Sequence, residues 1–443
     1  MFERNALTYL RQWRNRTDRK PLILRGARQV GKTTIVTAFA NEFSNYVYLN
    51  LELAEDQRIF NTDLDIARVL QAISVVKHAQ VNQDTLLFID EIQNSSVAVQ
   101  SLRYFYEQHP EICVIAAGSL LENYAGIAFS FPVGRVEYYA MRPCTFYEYM
   151  AAIGETEDLE TIKAQQTDFI HDRLMRHFQT YTLLGGMPEV IQKYIVSRDL
   201  HSVESVYQTL LISYRNDVEK YAQNKTQAQV IRHILQYGWA LAGEIITYVR
   251  FAGSNYRSRE VNEAFITLQK SMLLETVYPT SSVVLPLLPT MSRHPKLLWL
   301  DTGLVNYQAG VREAVFSADN IQDVYRGRIA EHIVGQELIG NNGRIDSHRS
   351  FWSKGEKSQA EVDYVVQYNG YLIPVEVKSG SNAHLKSLHQ FMALAPTSVA
   401  VRVWNKPFSV DVVTNPLTGK EFRLLNIPFY MVGMLEHILK EYF

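Results

Sequence analysis

The sequence predicts an α/β protein made of several units. Short apolar strands alternate with amphipathic helices through the first third, a glycine-rich loop joins the first strand to the first of those helices, and the last third returns to strands around an Asn-Gly turn. Alternation of this kind argues for a parallel sheet covered on both faces, with ligands met at the strand C-termini.

Residues 21–25 (PLILR) read as a buried strand, and the helix after the glycine loop spans about 33–43. Residues 46–53 (YVYLNLEL) alternate like a second strand, and 86–89 and 113–117 are two more apolar strands. From about Pro143 the pattern turns helical, through PCTFYEYMAAIG to YTLLGGMPEVIQKYI. Helices over 226–241 and 258–274 follow, the second with Val261, Ala264, Phe265, Leu268 and Met272 on one face. LLETVYPT and PKLLWLD then read as the two strands of a hairpin. Helix, connection, helix and hairpin is the order of a winged helix. In the last third, 325–338 is a helix, EVDYVVQY a strand, Asn369-Gly370 a hairpin turn, YLIPVEVKS the return strand and 382–394 a helix. The expected units are 1–150, 151–224, 225–315 and 316–443.

Composition narrows the classes. At 443 residues the chain exceeds one ordinary core. With 47% hydrophobic and 20% charged residues it is neither disordered nor fibrous. A formal charge of -2 gives no global basic signature, so any nucleic acid must be met by a local patch. Cys113 and Cys144 are too few for a disulfide framework or a Cys-rich zinc site. The charged start MFERNALTYLRQWRNR is unlike a secretory signal and no apolar run reaches membrane-spanning length, which points to the cytoplasm.

Gly26, Gly31, Lys32 and Thr33 fill the fixed positions of G-x-x-x-x-G-K-[ST], with Ala27, Arg28, Gln29 and Val30 between them and Thr34 after. The glycines let backbone wrap phosphates, and the N–H groups at the helix start face the negative charge. Lys32 would reach the β- and γ-phosphates and the Thr33 hydroxyl would ligate Mg²⁺, making ATP and Mg²⁺ the expected cofactors. The apolar run LLFIDE delivers Asp90 to Mg²⁺ through its water shell and Glu91 to the attacking water. Ser119, after the next strand, fits a γ-phosphate sensor or a simple Gly-Ser turn. Arg135, in FPVGRVE, fits an arginine finger acting in cis or in trans within an oligomer, or an ordinary surface arginine.

With RGARQVGKTT, FIDEIQ, AAGSLL, FPVGRV, LLGGMPEV and KLLWLDTGL in this order, the whole chain resembles a prokaryotic AAA-type ATPase family whose members carry a C-terminal domain of unknown function. The resemblance implies an AAA+-like core, a winged-helix middle and a nuclease-like end.

A second constellation is Glu361-Val362-Asp363 with Glu376-Val377-Lys378, on two strands joined by the Asn369-Gly370 turn. Residues two apart share a strand face, so Glu376 and Lys378 point together, and pairing across the hairpin brings Asp363 beside them. Two carboxylates on one face offer hard oxygens for Mg²⁺ or Mn²⁺, and a lysine beside them stabilises a charged phosphate. An acid–lysine pair that only stabilises the hairpin fits the same spacing. The pattern is similar to the PD-(D/E)xK nuclease superfamily. That resemblance implies catalytic roles for Asp363, Glu376 and Lys378, metal ligation by Asp363 and Glu376, and accessory roles for Glu331 and Gln390 on flanking helices. Val362 or Glu361 stands where that superfamily often has proline before the aspartate.

Two functions follow. One is an ATPase coupled to DNA binding or processing, with Arg250, Asn255, Tyr256, Arg257 and Arg259 placed for phosphate contacts or simply solvated. The other is a nucleotide-dependent regulatory switch that binds DNA or protein and cuts nothing. A small-molecule kinase fits poorly, because Glu91 beside Asp90 favours transfer to water.

Overall fold

The apolar runs of the first third become one parallel sheet. The computed structural model describes residues 3–60, 65–118, 132–310, 327–355, 358, 360–378 and 385–443, apart from the side chains of 219 and 221. Strands β1 (Leu22–Arg25), β2 (Asn45–Asn50), β3 (Thr85–Asp90), β4 (Cys113–Gly118) and β5 (Glu137–Ala140) lie in the order β2-β3-β4-β1-β5. β1, β3 and β4 are buried along their whole length, as continuous apolar strands with both faces covered must be. Alternation sends Leu22, Leu24, Leu86 and Phe88 into one core and Ile23, Leu87 and Ile89 into another on the opposite face. Helices α1 (Asn5–Arg14), α2 (Lys32–Ala40) and α3 (Ser96–Gln108) cover the sheet. β2 stops at Asn50, short of the expected Leu53, because the Leu53 N–H turns back to the Asn50 carbonyl at 2.9 Å.

The middle of the chain is helical, with α4 (His171–Leu184), α5 (Pro188–Ser197), α6 (Glu204–Asn216), α7 (Lys225–Tyr237) and α8 (Ser258–Lys270). After α8 come β6 (Leu274–Val277), β7 (Pro279–Thr280) and β8 (Lys296–Trp299). β6 and β8 pair antiparallel, Leu274 opposite Trp299 and Val277 opposite Lys296, which agrees with the hairpin reading. The Pro279–Thr280 part of LLETVYPT does not continue that hairpin. Proline brings no N–H to a ladder, and β7 instead runs parallel to β9 (Phe351–Ser353).

The last third begins with α9 (Arg328–Gly340), and its main sheet runs β11-β12-β13-β15-β14. The strands are β11 (Tyr364–Tyr368), β12 (Tyr371–Val377), β13 (Val399–Trp404), β14 (Ser409–Thr414) and β15 (Glu421–Pro428). The β11–β12 turn has Asn369 at φ 45° and Gly370 at φ 82°, the double left-handed turn that Asn-Gly favours. The strand expected over EVDYVVQY is broken at Asp363. β10 (Glu361–Val362) pairs with β9, whereas β11 pairs with β12. Helix α10 (Lys386–Leu394) lies over β10 and β12.

One apolar core runs through all three parts, from Leu24 and Phe146 through Trp299 to Ile333 and Val375. Helix α9 carries buried polar groups through it. Glu337 accepts from the Tyr181 hydroxyl at 2.7 Å and the Phe146 N–H at 3.2 Å, and Gln336 meets Thr302 and Asp301. Burial pushes the Glu337 carboxyl up to about 7 and the Asp301 carboxyl up to about 6. Among the described residues no helix is long and apolar enough to cross a membrane.

Candidate functional site

The glycine loop leaves β1, which lies between β4 and β5, and opens α2. Two conformational demands select its residues: Gly31 sits at φ 95°, and a side-chain carbon on Gly26 would lie 2.3 Å from the Met141 carbonyl oxygen. Lys32 is buried and donates to the Gly26 and Ala27 carbonyls, both at 2.9 Å. Burial lowers its ammonium to about 8, against the pull of Glu91 and Asp90. The Thr33 hydroxyl donates to Asp90 at 2.7 Å, and Asp90 also accepts from the Tyr48 hydroxyl at 3.3 Å. A threonine hydroxyl touching a carboxylate is a hard oxygen pair, and it fits Mg²⁺ arriving with a nucleotide. Glu91 follows at φ 52°, its carboxylate hydrogen-bonded by the Gln93 side chain.

These groups border a cavity of about 560 Å³. Arg28, Gln29, Gly31, Lys32, Thr33 and Thr34 line it together with Asp90 and Glu91, whereas Gly26, Ala27 and Val30 shape the loop behind it. Arg28 also pairs with Asp217 beyond α6, and the Tyr214 hydroxyl donates to the Arg28 carbonyl at 3.1 Å. Arg135 does not line the cavity. It holds Glu107 at 2.9 Å on the exposed side of α3, so the cis arginine-finger expectation has no support from this geometry. Ser119 lies outside the described residues.

Sequence reading missed Arg4, Pro188 and Gln192 as cavity residues. Arg4 is 7% exposed, pairs with Glu148 at 3.0 Å and reaches the Arg142 carbonyl at 2.8 Å. A lone arginine ahead of α1 carries no pattern that would have flagged it. LLGGMPEV did carry one: the Pro188 it holds opens α5 at the cavity wall.

In the last third the break at Asp363 has a local cause. Its carboxylate accepts the Val377 N–H at 2.7 Å, and Tyr364 stands opposite Val375, so Asp363 is locked beside Glu376. Glu376 pairs with Lys378 at 2.7 Å through one oxygen, while its other oxygen is buried with no hydrogen-bond partner among the described residues. Burial first, and the neighbouring Asp363 charge second, raise both Glu376 and Glu331 well above the usual carboxylate range. Glu331 joins this group from α9. Gln390 sits half-buried on α10. The residue missed here is Lys296 on β8. Its ammonium lies 3.0 Å from Glu331, 2.5 Å from Glu361 and 3.9 Å from Asp363. Burial alone would lower it, but the carboxylates outweigh that and hold it charged. An orphaned carboxylate oxygen beside a second carboxylate fits a hard divalent cation.

The expected phosphate-contact residues Arg250, Asn255, Arg257 and Arg259 are exposed around the start of α8, with Arg259 paired to Glu263 at 2.8 Å. Tyr256 is half-buried against His233.

Residues 18–150 match the family described as AAA domain, and residues 175–314 and 326–420 match two families described as domains of unknown function (DUF8612 and DUF4143). No curated protein matches the chain. Similar solved structures include a Walker-type ATPase of Pyrococcus abyssi, at 15% identity and a TM-score of 0.44, covering 70% of this chain and 96% of that one. The ORC1 protein of Aeropyrum pernix, solved in complex with DNA, overlaps at 11% identity and 0.31, covering 70% and 93%. A RuvB variant of Thermotoga maritima overlaps at 13% and 0.30, covering 62% and 90%. The glycine loop, the acidic strand end and the domain match coincide over one stretch, and residues 18–150 form an AAA-type P-loop domain.

Proposed function

We propose that this chain binds ATP with Mg²⁺, hydrolyses it, and couples that cycle to DNA binding or processing at its C-terminal acidic centre. The observation carrying the first part is the convergence of Lys32, Thr33, Asp90 and Glu91 on one open cavity. Mg²⁺, held by Thr33 and Asp90, would neutralise phosphate charge when bound. Lys32 exchanges its two loop carbonyls for phosphate oxygens, a trade of like contacts. Glu91 accepts the proton of the attacking water once it leaves the Gln93 amide.

Supporting the second part is the meeting of Asp363, Glu376, Lys378 and Glu331 from three separate elements, with one buried carboxylate oxygen unclaimed among the described residues. These carboxylates would hold a divalent cation whose chemistry is to activate water and neutralise a scissile phosphate. Lys378, steered by Glu376, adds a positive charge at the same place. The exposed arginines at α8 supply the local basic patch that a chain of net charge -2 needs for nucleic acid.

The test incubates purified protein with linear, plasmid and single-stranded DNA, with Mg²⁺ or Mn²⁺, with and without ATP. Binding or cleavage that is lost in Glu376→Gln supports the coupling. Neither binding nor cleavage in any combination would sink it, and undiminished ATP turnover in Lys32→Ala would sink the ATPase.

A further inference from the structure

Lys296 stands out because its position is costly without a purpose. Its side chain is 6% exposed on a strand that is otherwise apolar, KLLW. A lysine on a strand normally runs its flexible stem out to water. Here it turns inward, its ammonium 4.9 Å from the Phe351 ring and within 4 Å of three carboxylates from α9, β10 and the β10–β11 break. Burying an ammonium is tolerable only when opposite charges surround it.

The charges then balance in a specific way. With all four ionised, as a bound cation requires, Glu331, Glu361, Asp363 and Glu376 would bring four negative charges against two positive ones from Lys296 and Lys378, leaving the equivalent of one divalent ion. Lys378 claims one oxygen of Glu376, whereas Lys296 claims Glu331 and Glu361. Among the described residues the one trio of His, Asp or Glu with ligand atoms within 4.8 Å of one another lies elsewhere, at Glu155, Asp158 and His177. The carboxylates of the acidic centre are thus spread around an ammonium rather than gathered for two metals. The unclaimed Glu376 oxygen marks where a single one fits.

We infer that Lys296 is a resident cation of the acidic centre, filling the place between Glu331 and Glu361 and limiting the centre to one divalent ion at Asp363 and Glu376. This rests on the reading that Asp363 and Glu376 bind a divalent cation at all, so the experiment separates the two claims.

Mn²⁺ binding to the full chain would be counted by equilibrium dialysis without nucleotide, in an Asp90→Asn background that silences the nucleotide site. The parent should bind one ion and Glu376→Gln none. Lys296→Met should bind a second ion or hold the first about tenfold tighter or more, because a repelling charge and an occupant leave together. Lys296→Arg should match the parent. Lys296→Gln, polar and of similar length, serves where Lys296→Met fails to fold. A parent-like count and affinity in both neutral variants would overturn the inference while leaving the metal site standing. Unchanged binding in Glu376→Gln would remove the metal site and the inference with it.

Discussion

The two acidic centres of this molecule are built by opposite strategies. The nucleotide site takes its loop from consecutive residues, shapes it with backbone, and opens onto a cavity of about 560 Å³. The C-terminal centre gathers Lys296, Glu331, Glu361, Asp363 and Glu376 from separate elements and offsets part of their charge internally. A site built on backbone amides is ready for an incoming anion. A site built from carboxylates and ammoniums offers a cation only the oxygens that its own counter-charges leave unclaimed. The contrast teaches that having carboxylates is one thing, and having them available is another.

The comparison breaks most sharply at Glu91. Glu91→Gln should lower ATP turnover roughly 100-fold or more while leaving ATP binding in place, because it removes the proton acceptor and spares the phosphate loop. Steady-state turnover and a binding titration check this, and activity within twofold of the parent would refute it. Next in size, Asp363→Asn or Glu376→Gln should abolish any Mn²⁺-dependent action on DNA and leave DNA-free ATP turnover within about twofold, if the centres are chemically separate. A parallel collapse of both activities would show that they are one.

A smaller effect tests whether the phosphate loop is ready as it stands. Burial lowers free Lys32 to about 8, so above that pH the ammonium has lost its proton and phosphate must recruit one. ATP affinity should fall as pH rises through about 8, with net proton uptake on binding. Calorimetry in buffers of different ionisation enthalpy measures that uptake, and zero uptake at about pH 9 would refute it.

How much of this was legible in sequence follows from the same contrast. The phosphate loop, Asp90 and Glu91 are contiguous motifs, so periodicity and spacing reveal them. The Asn369-Gly370 turn was equally plain, because its left-handed backbone selects those two residues. Asp363 and Glu376 were legible as a pair since one short turn fixes their register. Lys296 was not, because in KLLW a lysine reads as a strand end, and only the tertiary placement of β8 beside α9 and β10 gives it carboxylates. Arg4 was hidden for the same reason: its partner Glu148 lies far along the chain. The break of EVDYVVQY at Asp363 was also invisible, being set by a side chain capturing the Val377 N–H.

The smallest expected effect concerns the helix between the two sites. Glu337 has a native carboxyl raised to about 7, above its ordinary range. The folded state therefore keeps a proton that the unfolded chain releases, and stability is fullest in acid and declines as pH climbs towards about 7. Glu337→Gln should flatten the fall in Tm between about pH 5 and pH 8. An equally steep fall in the variant would assign the pH dependence to other groups.

That helix has a further consequence, for inheritance rather than chemistry. α9 offers Glu331 to the acidic centre and, less than two turns on, Glu337 to the Phe146 N–H and the Tyr181 hydroxyl. A chain cut before Arg328 would leave that buried amide without its acceptor and bare the apolar face that Ile333 and Val334 cover. The P-loop portion is thus no free-standing cassette. An exchange of that portion for another P-loop domain would have to carry α9 along or supply a new acceptor for the Phe146 N–H.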